Sequence, residues 1–185
     1  MVSMAEKHEP SSIVITSGRV DDVPEIWKVF QKHFEYDGTV GVSPLNADLV
    51  RKSIGSWTDP NKYFEVLMAK DAASGELIGT CLYQKKFSFY RGRILWMDQL
   101  FVKENCRKMK VGLRLIRNLA QIAKDEEAIL MWDCLEWNVN SIKFYKSLGA
   151  NVMSEIKLVD PIEVKILGFE LKSAAAEKLL ERKLE

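Results

Sequence analysis

Residues 93–102 read RILWMDQLFV, an extended run with apolar side chains on both faces: Ile94, Trp96, Leu100 and Val102 alternate with Leu95, Met97 and Phe101. A strand that is apolar on both sides has to lie inside a sheet covered above and below, so the chain must supply helices as well as strands. Its neighbours meet that demand. Residues 63–70 and 77–89 precede it as strand-like runs, and the turn signals at Ser74-Gly75 and Arg91-Gly92 predict an antiparallel meander. After it the period changes, because Val111, Leu115, Leu119, Ile122 and Ala123 recur at helical spacing. A strand at 128–135, a helix at 140–147, strands near 151–158 and 164–171, and an Ala-rich helix over 173–184 complete the order. Upstream, residues 12–16 (SIVIT) predict a short strand, Asp21 or Asp22 caps a helix with Pro24 near its first turn, and Asn46 caps a second helix running to Trp57. The class expected is α/β with a mixed sheet.

At 185 residues the chain fits one domain of the usual roughly 100 to 200 residues. The expected division is a loose segment over 1–11, a single domain over 12–171 and a C-terminal helix over 172–185. Lys plus Arg number 27 and Asp plus Glu 26, which leaves no bulk charge to hold nucleic acid or an anionic membrane. No run approaches the roughly 20 apolar residues of a membrane span, and residues 1–12 lack the apolar core of a secretory leader. Cys81, Cys106 and Cys134 are an odd number without a CxxC pair, which argues for a reducing compartment and no disulfide framework. The location expected is cytoplasmic. His8 and His33 fit neither HxxxH nor HExxH, so no metal is expected.

Three places carry chemistry. Asp98 interrupts the doubly apolar strand; it either loses solvation there and becomes a usable base, or opens to solvent and satisfies a neighbour. Residues 107–112 (RKMKVG) open a helix, where unpaired amides and the positive dipole end form an anion site unless the turn is merely a solvated connection. Tyr145, in the helix that follows Glu136-Trp137-Asn138, reads in isolation as a core or boundary aromatic.

Taken together, GRILWMDQLFV at 92–102, LIRNLAQIA at 115–123 and above all EWNVNSIKFYKSLGA at 136–150 resemble the GNAT superfamily of N-acetyltransferases, and within it the diamine (spermidine/spermine) acetyltransferase branch. The resemblance implies a splayed central sheet whose fourth and fifth strands diverge to admit acetyl-CoA as co-substrate. By position it implies that the backbone of Leu100, Phe101 and Val102 holds the pantetheine arm. The amides of Arg107, Lys108, Met109, Lys110, Val111, Gly112 and Leu113 would hold the pyrophosphate, with Asn138 and Ser141 near the cofactor. Tyr145 matches the general acid for the departing thiolate, and Asp98 stands where the diamine enzymes carry a glutamate that helps deprotonate the amine. Tyr36, Asp37, Asp98 and Gln99 would face a small-molecule amine, and a homodimer is implied. The chain departs from the family pattern R/Q-x-x-G-x-G/A: Lys110 occupies the first glycine position, and Lys108 another that the diamine branch fills with glycine. Gln99 replaces an aspartate and Ser88 falls near another, which thins the acidic groove for polyamines. A catalytically silent GNAT-fold domain that binds a protein or ligand is the alternative reading.

Overall fold

The computed structural model describes residues 12–41, 43–55, 59–158 and 164–183. Its elements run β1 (Ile13–Ser17), α1 (Val23–Asp37), α2 (Ala47–Ser53), β2 (Glu65–Asp71), β3 (Leu77–Ser88), β4 (Gly92–Val102), α3 (Val111–Asp125), β5 (Ile129–Leu135), α4 (Val139–Ser147), β6 (Asn151–Leu158), β7 (Val164–Leu171) and α5 (Ser173–Glu181). The strands form one sheet in the order β1-β2-β3-β4-β5-β7-β6. β1–β2, β2–β3, β5–β7 and β6–β7 pair antiparallel, while β4–β5 is parallel. The mixed α/β class expected from the sequence is the one found. The expected loose segment 1–11 lies outside the described residues.

The chain folds as two compact units. One contains the residues up to Tyr83 together with Gln99–Ile116; the other contains Gln84–Asp98 and the residues from Arg117 onward. In the first unit, Val23, Ile26, Val29 and Phe30 form the buried stripe of α1 and pack with Val50, Ile54, Val66, Met68, Leu77 and Phe101. The spacing of that stripe is helical, and burying each such side chain contributes about 1.5 to 3 kcal/mol. Asn46 caps α2 as expected, its side chain accepting the Leu49 amide at 2.9 Å. The helix nevertheless ends at Ser53, short of the expected Trp57, which lies outside the described residues. Ile54 turns extended to bridge Phe64, and Gly55 follows at φ +152°, a conformation that no helix continues through.

In the second unit, Trp132 of β5 and Phe169 of β7 are fully buried and stacked, with ring centroids 5.9 Å apart. α5 buries Ala176 and Leu179 and stops at Glu181 rather than Leu184. Arg117 of α3 explains the stop: its guanidinium donates to the carbonyls of Leu180 at 2.5 Å and Arg182 at 2.6 Å, satisfying acceptors that the helix end leaves open.

Candidate active site

The parallel pairing of β4 with β5 runs from Ile94 opposite Ile129 to Met97 opposite Trp132. Both strands continue past it, β4 to Val102 and β5 to Leu135, and β5 keeps its pairing with β7 through Leu135. Asp98 is the first residue of β4 beyond that ladder. The face it shares with Trp96 opens toward the end of the strand, as one of the two sequence readings expects: Ile94, Leu95, Met97, Gln99 and Phe101 are buried, whereas Asp98 is exposed and Trp96, Leu100 and Val102 are half-buried. Asp98 still loses part of its hydration. That partial desolvation raises its carboxyl above the ordinary carboxylate value, against the opposing effects of the Gln84 hydrogen bond, the Lys86 charge and the Trp96 hydrogen bond. Gln84 Nε2 donates to one Asp98 oxygen at 2.5 Å, and Trp96 Nε1 donates to the other at 2.8 Å. A carboxylate held by two donors and with its proton affinity raised is a better proton acceptor than a free one.

Tyr145 sits in α4 and is buried against Trp132, Phe169 and Phe144, with centroid distances of 5.0, 5.5 and 5.6 Å. Its helix is fixed at both ends. Asn138 accepts the Ser141 amide at 3.2 Å as the N-cap, so these two expected cofactor neighbours also serve each other in capping. At the other end Gly149 takes φ +87°, its amide reaching the Lys146 carbonyl at 3.0 Å, and the Ala150 amide reaches the Tyr145 carbonyl at 3.2 Å. This double closure is a Schellman motif, and it gives the Leu148-Gly149-Ala150 sequence a physical reason. The tyrosine ring therefore has a rigid mount.

In the first unit the segment RKMKVG leads into α3, whose first i−4 bond joins the Arg114 amide to the Lys110 carbonyl at 2.9 Å. Lys108 has φ +66° and Lys110 φ +61°. Both lysines thus adopt the left-handed backbone that glycine takes without strain and that costs other residues about 1 to 2 kcal/mol. The chain keeps a glycine-type path at two positions that carry lysine. Arg107 Nε donates to the Val102 carbonyl at 3.2 Å, and its guanidinium lies 4.8 Å from the Tyr36 ring centroid. Tyr36, expected on the substrate side, and Arg107, expected on the cofactor side, are thereby brought together. Asp37 pairs with His33 Nε2 at 3.0 Å, and Phe101 lies beside the His33 ring at 5.6 Å. Gln99 is buried and accepts the Thr80 hydroxyl at 3.0 Å. Gly79 accommodates α3: a Cβ there would lie 2.9 Å from the Phe101 carbonyl oxygen and 3.1 Å from Val111 Cγ1. Met109, Gly112 and Leu113 belong to the same loop and first helical turn.

The sequence reading missed Asp133. It lies on β5 opposite Gly168, and burial followed by the neighbouring Asp98 charge raises its carboxyl while Lys86 opposes the rise. The signal was the same one that singled out Asp98, a carboxylate interrupting an apolar strand. Covalent catalysis through cysteine finds little support. Cys81, Cys106 and Cys134 are all buried, and burial holds the Cys81 and Cys106 thiols protonated, far from the thiolate that a nucleophile needs. Among the described residues no group of three His, Cys, Asp or Glu side chains could hold a metal ion, and no helix is long and apolar enough to cross a membrane.

The fold is shared with solved structures: 86% of this chain superposes on 98% of the chain in a crystal structure of the NatC complex bound to Gag peptide and CoA, with a TM-score of 0.68 at 15% identity. The chain belongs to the acetyltransferase (GNAT) family, whose profile matches residues 24–150. It is 25% identical over 152 residues to the thialysine N-epsilon-acetyltransferase of Sus scrofa, covering 78% of this chain and 88% of that protein. It is 26% identical over 143 residues to the human spermidine/spermine N(1)-acetyltransferase-like protein 1, covering 74% of this chain and 20% of that longer protein.

Proposed function

We propose that this GNAT enzyme transfers acetyl from acetyl-CoA to a primary amine of a small molecule, by direct attack in a ternary complex. The observation that carries the reading is the left-handed backbone at Lys108 and Lys110. Those are the positions where the family pattern has glycines, and the conformation lets consecutive amides at the start of α3 face one anion although the residue type has changed. Arg107, Lys108, Met109, Lys110, Val111, Gly112 and Leu113 would hold the pyrophosphate, with the two ammonium groups adding direct charge. Leu100, Phe101 and Val102 would offer backbone groups to the pantetheine arm, with Asn138 and Ser141 on the cofactor side.

In the proposed chemistry Asp98 takes a proton from the alkylammonium, through water. This is required because an ammonium of pKa about 10 has no lone pair for attack. The free amine nitrogen bonds to the acetyl carbonyl carbon. The carbon–sulfur bond then breaks, the Tyr145 hydroxyl gives its proton to the departing thiolate, and the second proton that the nitrogen sheds as the amide forms passes through solvent to restore the tyrosine. Asp98 and Tyr145 thus exchange protons with opposite ends of the reaction. Tyr36 and Asp37 would flank the acceptor, whereas Gln99, expected beside them, is buried against Thr80 on the strand face opposite Asp98 and has no place there. The names of the relatives support an amine acceptor of lysine-like or diamine type. We further propose that residues 12–171 work as one catalytic domain, followed by the C-terminal segment that carries α5, as a homodimer in the cytoplasm.

Calorimetry with acetyl-CoA tests the reading. Micromolar affinity, about −8 kcal/mol, is expected. No heat up to millimolar cofactor would overturn it in favour of a silent GNAT-fold binding domain.

A further inference from the structure

The second unit carries two carboxylates on one face, and only Asp98 has a role in the mechanism above. Trp96 is level with Met131 in the parallel β4–β5 pair, so Asp98 and Asp133, each two residues further on, project from the same side. Across from Asp133 the partner residue on β7 is Gly168, which in turn pairs with Ser154 of β6. A Cβ on Gly168 would lie 3.4 Å from Asp133 Oδ1 and 2.5 Å from Ser154 Oγ, so only glycine leaves room there for the Ser154 side chain. The same face already holds an alkylammonium. Lys86 Nζ lies 4.1 Å from the Trp96 ring centroid, and its charge acts on both Asp98 and Asp133. An aromatic face edged by carboxylates is how proteins hold organic cations. Lys86 shows that this face accepts one, and with two carboxylates to one ammonium the cluster is short of a positive charge. Asp98 is further engaged by Gln84 and Trp96, whereas no hydrogen bond or ion pair to Asp133 is found among the described residues.

We propose that Asp133 is a specificity residue, holding the second, non-reacting ammonium of a diamine or lysine-like acceptor while Asp98 serves the reacting one. The proposal rests on the acetyltransferase reading and deepens it. The acceptor's reacting nitrogen loses its proton toward Asp98. Its other nitrogen stays protonated on Asp133 and supplies the missing countercharge, with Lys86 remaining on the Trp96 ring. A monoamine gains nothing from Asp133, so the residue discriminates between acceptors rather than driving the chemistry.

The test compares putrescine with butylamine, which share a four-carbon chain and differ by one ammonium, in steady-state acetylation by the full-length chain and its variants. Asp133→Asn should lower kcat/KM for putrescine relative to butylamine by about ten- to a hundredfold, mainly through KM, the loss of one charge-assisted contact. Asp133→Glu should restore most of the preference. Lys86→Met, which removes the competing cation, should lower KM for putrescine. An unchanged putrescine-to-butylamine ratio in Asp133→Asn, or a higher putrescine KM in Lys86→Met, would overturn the proposal. If the wild-type chain acetylated neither amine and gave no heat with acetyl-CoA, the acetyltransferase reading would fail separately. Calorimetric titration with putrescine alone would then decide: binding lost in Asp133→Asn upholds the cation site, and equal heats in both proteins reject it.

Discussion

Tyr145 is both a packed aromatic and the proposed proton donor, and one substitution separates the two. Tyr145→Phe keeps the ring against Trp132 and Phe169 and removes only the hydroxyl. Turnover should fall about 10²- to 10⁴-fold with acetyl-CoA affinity little changed, as read by steady-state kinetics and calorimetry; a near-normal rate would leave only the packing role. Asp98 permits a different check. Its raised carboxyl favours the protonated form in the native state, so its contribution to stability is fully present below the unfolded value near pH 4 and is lost as pH rises through the native value. The melting temperature of Asp98→Asn relative to wild type should therefore climb from pH 3.5 to pH 7, while acetylation is lost at every pH. A flat difference would show that Asp98 is an ordinary exposed acid. Asp98 and Tyr145 were legible because each stands within a recognisable segment. Asp133 bears the same mark as Asp98, an acid interrupting an apolar strand, but ILMWDCL lies outside those segments and carries no sign of which neighbours the acid will meet. The exposure of Asp98 was one of two readings that the sequence left open, because alternation tells which side chains share a face and not how well that face is covered.

Secondary structure followed the hydrophobic period closely wherever the period was long, as in α1 and α3, and less well where one residue decides an end. Nothing in SIGSW told that Gly55 would take φ +152° and stop α2, and nothing in the C-terminal helix pointed to a capping arginine as distant as Arg117. The loop before α3 is the sharpest case. Lysine at a glycine position suggests either a blocked or a rebuilt phosphate loop; the backbone angles favour a rebuilt one, at a conformational cost. Replacing Lys108 and Lys110 together by Gly should relieve about 1 to 2 kcal/mol of strain per residue, offset in part by about 0.5 to 1 kcal/mol of added chain entropy each. The thermal midpoint should hold or rise, whereas acetyl-CoA binding should weaken and lose salt sensitivity because two charges are gone. Tighter binding in calorimetry would show that the lysines obstruct phosphate instead. Gly79 is the opposite case, a glycine that cannot be replaced cheaply. Gly79→Ala presses a methyl onto the Phe101 carbonyl, and a loss of about 1 to 3 kcal/mol is expected in denaturant unfolding.

At the scale of the molecule, 27 basic and 26 acidic residues leave no field to gather a polycation, so acceptor choice has to come from local groups. Gln99 is buried against Thr80, and Ser88 carries no charge. A long polyamine therefore finds few carboxylates beyond Asp98 and Asp133. Spermine and spermidine should show lower kcat/KM than small diamines or lysine analogues in an acetyl-CoA panel; an equal or higher value for spermine would mean that an acidic groove exists elsewhere. The buried state of Cys81, Cys106 and Cys134 bears on how such a panel can be run. A disulfide reagent that colours on meeting a thiol would be nearly blind to the native protein, so the signal it develops during turnover would count released coenzyme A. The same reagent added to protein alone would react as the core opens, turning three hidden sulfhydryls into a clock for unfolding.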